Sequence, residues 1–407
     1  MTNYVNLKWG DVCTLEYGKG IRDYKNLDAK YAVYASAGKV GTFDNFLSKE
    51  GVIVSRKGTL SVYYSAKPFY VIDTAFWLKP KPMLNSKWAY YSLLNFDIKK
   101  LISGSSVPSL SRNDFYNTDL LLPKINIQKS IASFLSKFDE KIELNKKLNQ
   151  TLLKIAKTLF KSWFIDFDPV KAKVDNKKTG LIKEISDLFP NSFENSTYNK
   201  IPNGWKMVKI SDCFDTVIGG TPSRRNKEFW KGKNGWINSG AVNEFPLITP
   251  SEYISDTATE KSSTKFSKKK STLIALVTAI NKGLITFSEI DVFINQSIVA
   301  IQPDDIFFPE YIYLYTNHNY KRLYREQSGG AQQHINKNIV NNFEILKPSD
   351  EILISFKNLF KNIFEKIALN AKENIILSDL RDTIMPKIFL GKLKIPDVEK
   401  IVDRISS

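Results

Sequence analysis

Only two cysteines and two histidines occur in the 407 residues. Cys13 and Cys213 lie half a chain apart, so they frame neither a disulfide scaffold nor a zinc cluster, and they suit a reducing compartment. His318 and His334 have no Cys or His at ligand spacing, and no metal site is expected. No apolar run approaches the roughly 18 residues of a membrane span. The opening Met1-Thr2-Asn3-Tyr4-Val5-Asn6 lacks the basic-then-apolar pattern of a secretory signal, which makes the cytoplasm the expected location. The loop Gly-x-x-x-x-Gly-Lys-Ser/Thr, which would cradle phosphates, is missing. So are a Gly-rich cofactor turn after a clear strand and the Asn/Asp-Pro-Pro-Tyr tetrad of adenine methylation. Asp168-Pro169-Val170 comes nearest to that tetrad, without the second proline or the aromatic ring. Asp139-Glu140 forms an acidic pair, but its place on a helical heptad makes a solvated face the expectation. No catalytic residue and no bound cofactor is expected on this chain.

Acidic residues are also in deficit: 59 Lys+Arg face 42 Asp+Glu, a formal net charge of +17. Apolar residues at 43% and aromatic residues at 13% predict packed cores and exclude disorder as the main state. The length accommodates two or three domains. A polyanion is the first partner to consider.

The chain repeats itself. Lys8, Asp11 and Gly18 recur as Lys209, Asp212 and Gly219, an offset of 201. Ser103-Gly104-Ser105 then recurs as Ser328-Gly329-Gly330, and Pro123 as Pro348, an offset of 225. The second copy therefore carries about 24 extra residues in its middle. The larger offset continues through Lys141 and Lys366, Asn145 and Asn370, Leu152 and Leu377, and Phe164 and Phe389. A period this long means duplicated domains, not a solenoid.

Each copy opens on a mixed region and ends on a helical one. Short β-rich runs include Gly51–Ser55, Leu60–Tyr64, Phe69–Ile72, Thr272–Val277 and Ser297–Ile301. Helical patches stand at Trp88–Leu94 and Glu310–Tyr315. The expected boundaries are 1–122 and 201–347 for two α+β domains, and 123–165 and 348–390 for the helices. A junction at 166–200 and a tail at 391–407 complete the chain. Asn126 is the expected cap of the first helix, Ser349 or Asp350 that of the second, and Pro386 is expected to kink the second near its end. Ile131, Phe138, Asn145, Leu152 and Leu159 recur every seventh residue, as do Phe356, Ile363, Asn370, Leu377 and Ile384. The second seam position predicts Phe134, Leu148 and Ile155, broken by Lys141 and Ser162. In the other helix it predicts Leu359 and Leu380, broken by Lys366, Glu373 and Lys387. Antiparallel packing of the two helices would bring Asn145 and Asn370, each at a midpoint, into direct contact and fix the register.

Basic residues interleave with glycine, polar and aromatic residues in the mixed regions. Lys19, Arg22, Arg56, Lys57, Arg112, Arg224, Arg225, Lys282 and Lys337 are candidates for phosphate or base contacts. Ser105 and the cluster Gln332, Gln333 and His334 add groups that match base edges.

This organisation resembles the specificity (S) subunit of bacterial and archaeal type I restriction-modification enzymes over nearly the whole chain. The motifs are Gly104-Ser105-Ser106-Val107-Pro108-Ser109-Leu110-Ser111-Arg112, the helix end Leu159-Phe160-Lys161-Ser162-Trp163-Phe164-Ile165-Asp166-Phe167-Asp168-Pro169-Val170, and the domain opening Ile201-Pro202-Asn203-Gly204-Trp205. The second copy departs at Gly330-Ala331-Gln332-Gln333-His334. The resemblance implies two target recognition domains separated by two long antiparallel coiled-coil helices about a pseudo-twofold axis. It implies a non-catalytic reader of double-stranded DNA, each domain taking one half of a bipartite asymmetric site while the helices set the spacer. Helices over 127–164 and 352–389 reach at most about 57 Å, which caps the spacer near 17 base pairs. The implied partners are two modification (methyltransferase) subunits and two restriction (motor and nuclease) subunits. Those subunits would carry S-adenosylmethionine, ATP and Mg. A specificity chain of a methylation-only or related restriction system would carry the same sequence features, and the alternative of another class is a standalone DNA-modifying enzyme.

Overall fold

Val52, Ile53 and Val54 are three β-branched residues in a row, and all are fully buried. A run without alternation belongs in a strand covered on both faces. The strand Gly51–Ser55 lies inside a four-stranded antiparallel sheet ordered Cys13–Tyr17, Ala75–Pro80, Gly51–Ser55, Val62–Ser65. The structure, a computed structural model, describes residues 4–24, 29–58, 60–96, 98–103, 109–196, 200–276, 285–303, 308–325 and 335–393. The second copy repeats the sheet as Thr216–Ile218, Ile298–Ile301, Thr272–Ala275 and Ile285–Phe287. Each copy also has a second sheet built on a parallel pair. Tyr31–Ala35 runs parallel to Phe69–Val71 and antiparallel to Gly38–Phe43. Likewise Asn234–Ile237 runs parallel to Val292–Ile294 and antiparallel to Glu252–Ile254. The longer copy adds a fourth strand, Lys265–Ser267. A terminal strand pair closes each domain, Tyr4–Lys8 with Asp119–Pro123 and Lys206–Lys209 with Glu344–Lys347. Helices Ser86–Asn95 and Pro309–His318 occupy the expected patches.

The chain packs as two units, Met1–Glu143 with Ile375–Ser407, and Leu144–Asn374. The long helices Ile125–Phe164 and Asp350–Phe389 have 40 residues each and contribute to both. Asn126 does not cap the first. Pro123 is still paired in its strand, and the N–H groups of Ile127 and Gln128 donate to the Lys124 carbonyl, which puts Asn126 inside the first turn. In the second helix the Leu353 N–H donates to the Ser349 carbonyl, and the helix continues through Pro386 to Phe389.

The first seam holds, but the second lies one residue further along than expected. Phe134 is buried as expected, but beyond it Leu148 and Ile155 are exposed, while Leu135, Ile142, Ala156 and Trp163 are buried and Asn149 is half-buried. In the second helix Phe360, Ile367 and Ile388 are buried, while Leu359 and Leu380 are exposed. A heptad admits either a three- or a four-residue step between its seam positions. The four-residue step keeps Lys141, Lys366 and Lys387 in solvent.

Asn145 and Asn370 are both buried, at 2% and 1% exposure, yet they do not pair with each other. The Asn145 amide donates to Glu373 Oε2 at 2.7 Å and to Asn374 Oδ1 at 3.0 Å. The Asn370 amide donates to Asn149 Oδ1 at 2.8 Å, and Asn149 donates to the Ile367 carbonyl at 3.0 Å. Side chains on a helix lean toward its N-terminus. On antiparallel helices the two central asparagines therefore lean apart, each toward a residue one turn away. The offset of 225 maps Asn145 onto Asn370 and Asn149 onto Asn374, so the two amide pairs are images of one another. The register device is a double one.

Candidate nucleic-acid interface

Three of the basic residues read from the sequence come together in the first domain. Arg56, Lys57 and Arg112 line an open cleft of about 570 Å³ with Tyr17, Phe76 and Tyr116. Local structure explains the convergence. Tyr17 ends the strand Cys13–Tyr17, opposite Phe76 in register, and their rings meet edge to face at 5.0 Å. Gly18 follows, and a Cβ there would lie 2.0 Å from the Ile72 carbonyl oxygen. Its counterpart Gly219 would meet the Ile294 carbonyl oxygen at 1.8 Å. Only glycine lets the chain pass so close to the neighbouring sheet, which accounts for one recurring motif and anchors Tyr17 beside the cleft.

Arg56 leaves the central strand. Its N–H donates to the Thr74 carbonyl and its Nη1 to the Asp73 carbonyl, both at 3.0 Å. Its guanidinium lies 5.1 Å from the centre of the Tyr17 ring and 5.9 Å from that of Phe76. Arg112 opens the helix Arg112–Asn117, whose cap Ser111 accepts the Asp114 N–H at 3.2 Å. Its guanidinium lies 4.9 Å from the Tyr17 ring centre and 5.6 Å from that of Tyr116. Arg112 Nη2 donates to the Tyr116 hydroxyl at 3.1 Å, and that oxygen also accepts the Leu15 N–H at 2.8 Å. The bond to Tyr116 outweighs desolvation and raises the guanidinium's pKa above its ordinary value. Arg112 Nε is buried without a hydrogen-bond partner. Cations stacked on rings in this way are positioned as well as stabilised.

The second domain keeps the frame and changes the chemistry. Lys337, the counterpart of Arg112, opens the helix Lys337–Asn342 behind the cap Asn336, which accepts the Ile339 N–H at 3.0 Å. Where Tyr116 holds Leu15, Asn341 accepts a hydrogen bond from Thr216 Oγ1. Arg224 is already neutralised, because both its terminal nitrogens donate to Glu252 at 2.6 Å and its guanidinium lies 3.4 Å from the Trp230 ring centre. The same pairing holds the Glu252 carboxyl below its usual range. Arg225, Lys19 and Arg22 are exposed, and the last two do not line the cleft. Ser105, Lys282, Gln332, Gln333 and His334 lie outside the described residues. Of the helix-pairing candidates, Phe138 is buried and Leu152, Ile363 and Leu377 are half-buried.

Charge alone could not single out Tyr17, Phe76 and Tyr116. Tyr17 was available only as the residue before the repeated glycine. Asp139 also departs from its expected solvated face. It accepts the Tyr91 hydroxyl at 2.6 Å and pairs with Arg381. Its neighbour Glu140 is exposed, 3.2 Å from Lys87.

Residues 1–154 and 202–377 match the family model of the type I restriction modification DNA specificity domain. The chain is 30% identical over 335 residues to the type I restriction enzyme HindI specificity subunit of Haemophilus influenzae, covering 72% of this chain and 71% of that one. It is 25% identical over 329 residues to the MjaIX specificity subunit of Methanocaldococcus jannaschii, covering 78% and 72%. Among solved structures, the S subunit of a type I restriction-modification system from M. genitalium superposes with a TM-score of 0.55 at 16% identity, over 95% of this chain and 96% of that one. No described helix is long and apolar enough to cross a membrane.

Proposed function

Because the chain belongs to the type I restriction-modification DNA specificity family, we propose that its two domains each read one half of a bipartite, asymmetric DNA site. The chain recognises DNA and performs no chemistry on it. The observation that carries the bipartite reading is the duplicated frame with divergent side chains. The same glycine, capped helix and sheet order recur, while Arg112 and Tyr116 give way to Lys337 and Asn341. A shared frame suits two similar docking tasks, and divergent contacts suit two different sequences.

The long helices serve as spacer and as docking surface for methyltransferase subunits. Leu144 and Leu369, equivalent under the offset of 225, are 60% and 61% exposed. Matching apolar residues on both helices favour two copies of one partner. Two restriction subunits complete the assembly, and S-adenosylmethionine, ATP and Mg belong to the partners. Deleting one heptad from 131–159 tests the spacer. Methylome sequencing should return both half-sites unchanged around a shorter gap, and an unchanged gap contradicts the reading. The full chain should also lose DNA affinity steeply as salt rises.

A further inference from the structure

The cleft of the first domain differs from the Arg224 site of the second. Arg224 is matched by a carboxylate, whereas the residues lining this cleft include two arginines and a lysine and no Asp or Glu. Two guanidiniums also share one ring, each within about 5 Å of the Tyr17 centre. Two cations on one ring in a cleft lined by no carboxylate suit a partner rich in acceptors.

From this juxtaposition we infer that Arg56 and Arg112, held on Tyr17, read two guanines in the half-site of the first domain, which makes Tyr17 a specificity-determining positioning residue. The inference rests on the reading of that domain as a half-site reader. A guanidinium has five N–H donors and no acceptor. In the major groove guanine presents two acceptors, O6 and N7, side by side. Adenine places an amino donor where O6 would be, and a donor facing a donor is rejected. Phosphate offers acceptors too, but a phosphate contact asks only for charge, which a mobile lysine supplies. Here the planes are fixed. Arg56 is tied to the Asp73 carbonyl, Arg112 to Tyr116, and Tyr116 in turn to the Leu15 N–H. Such restraint is wasted on a phosphate and is what an edge-on base contact requires.

The test is selection of the full chain with its methyltransferase subunits on a randomised duplex library, for the wild type and for Arg56→Lys, Arg112→Lys and Tyr17→Leu. Each lysine variant keeps the charge and loses the plane. The wild type should select guanine at two positions of one half-site. Each lysine variant should relax one of them by roughly tenfold or more, Tyr17→Leu should relax both, and the other half-site should stay as it was. In the selected duplex, 7-deazaguanine at either position should weaken the wild type by severalfold and leave the matching lysine variant unaffected. Weaker binding with an unchanged selected sequence would make the cleft a phosphate clamp and overturn the inference while sparing the half-site reading. No change in affinity or sequence would overturn the inference alone, whereas a wild type that selects no sequence in that half-site would overturn the half-site reading as well.

Discussion

At one equivalent position the two domains meet their stretches of long helix in opposite ways. In the first unit an apolar contact, with Trp88 and Phe389 rings 5.5 Å apart, gives way at Asp139 to a polar one. Tyr91 donates to Asp139 at 2.6 Å, Arg381 pairs with the same carboxylate, and Arg381 Nε donates to Asp382 at 2.8 Å. Burial, followed by the bond to Asp139, pushes the Tyr91 phenol far above its ordinary pKa. In the second unit the residue equivalent to Asp139 is Phe364. Its ring lies 5.2 Å from Phe287 and 5.8 Å from Tyr313, and Tyr313 stacks on Phe245 at 5.0 Å. One frame therefore carries two kinds of contact. The aromatic one gains from buried area and tolerates small displacements. The polar one depends on direction, and losing one partner strands another.

The largest effect that would break this contrast falls on the aromatic side. Phe364→Ala should cost about 3–5 kcal/mol, read as a fall in the thermal melting point that hardly changes with salt. Arg381→Ala should cost less, about 1–3 kcal/mol, and the loss should shrink as salt rises, because a partly exposed charge pair is screened. Equal salt dependence of the two variants would erase the distinction. A double-mutant cycle on Asn149→Ala and Asn370→Ala should return a coupling of about 0.5–1.5 kcal/mol. The cycle on Asn145→Ala and Asn370→Ala should return a smaller one, and the reverse order would restore the direct contact that the helix geometry denies.

The smallest effect concerns alkaline pH. Burial pushes the Cys13 thiol from 9.0 up to about 12, and the Tyr90 phenol from 10.0 up to about 12. The unfolded chain therefore sheds both protons first. The stability these groups contribute is intact below pH 9 and is lost as pH climbs toward about 12. Melting points recorded across that window should fall, and Cys13→Ala should remove the part that begins near pH 9. A thiol reagent at neutral pH should label half-buried Cys213 and spare buried Cys13.

Much of this fold was legible in the sequence because duplication is a pattern of residues. Gly18 with Gly219, Pro123 with Pro348 and Asn145 with Asn370 marked the frame, and the β-rich run Gly51–Ser55 marked a strand. What was illegible depends on direction. Heptad spacing does not say whether the second seam falls at Leu148 or Asn149, and it does not record that side chains lean along a helix. Asp139 read as solvated because its partners, Tyr91 and Arg381, are remote in sequence. The cleft was half legible: Arg56, Lys57 and Arg112 stood out by charge, while Tyr17 and Tyr116, which orient the two arginines, carry none.

The most direct test of the account is replacement of residues 201–347 by the corresponding domain of another specificity subunit, followed by methylome sequencing of cells carrying the partner subunits. The account predicts a new sequence in one half-site, with the other half-site and the spacer as before. A change in both half-sites would contradict it.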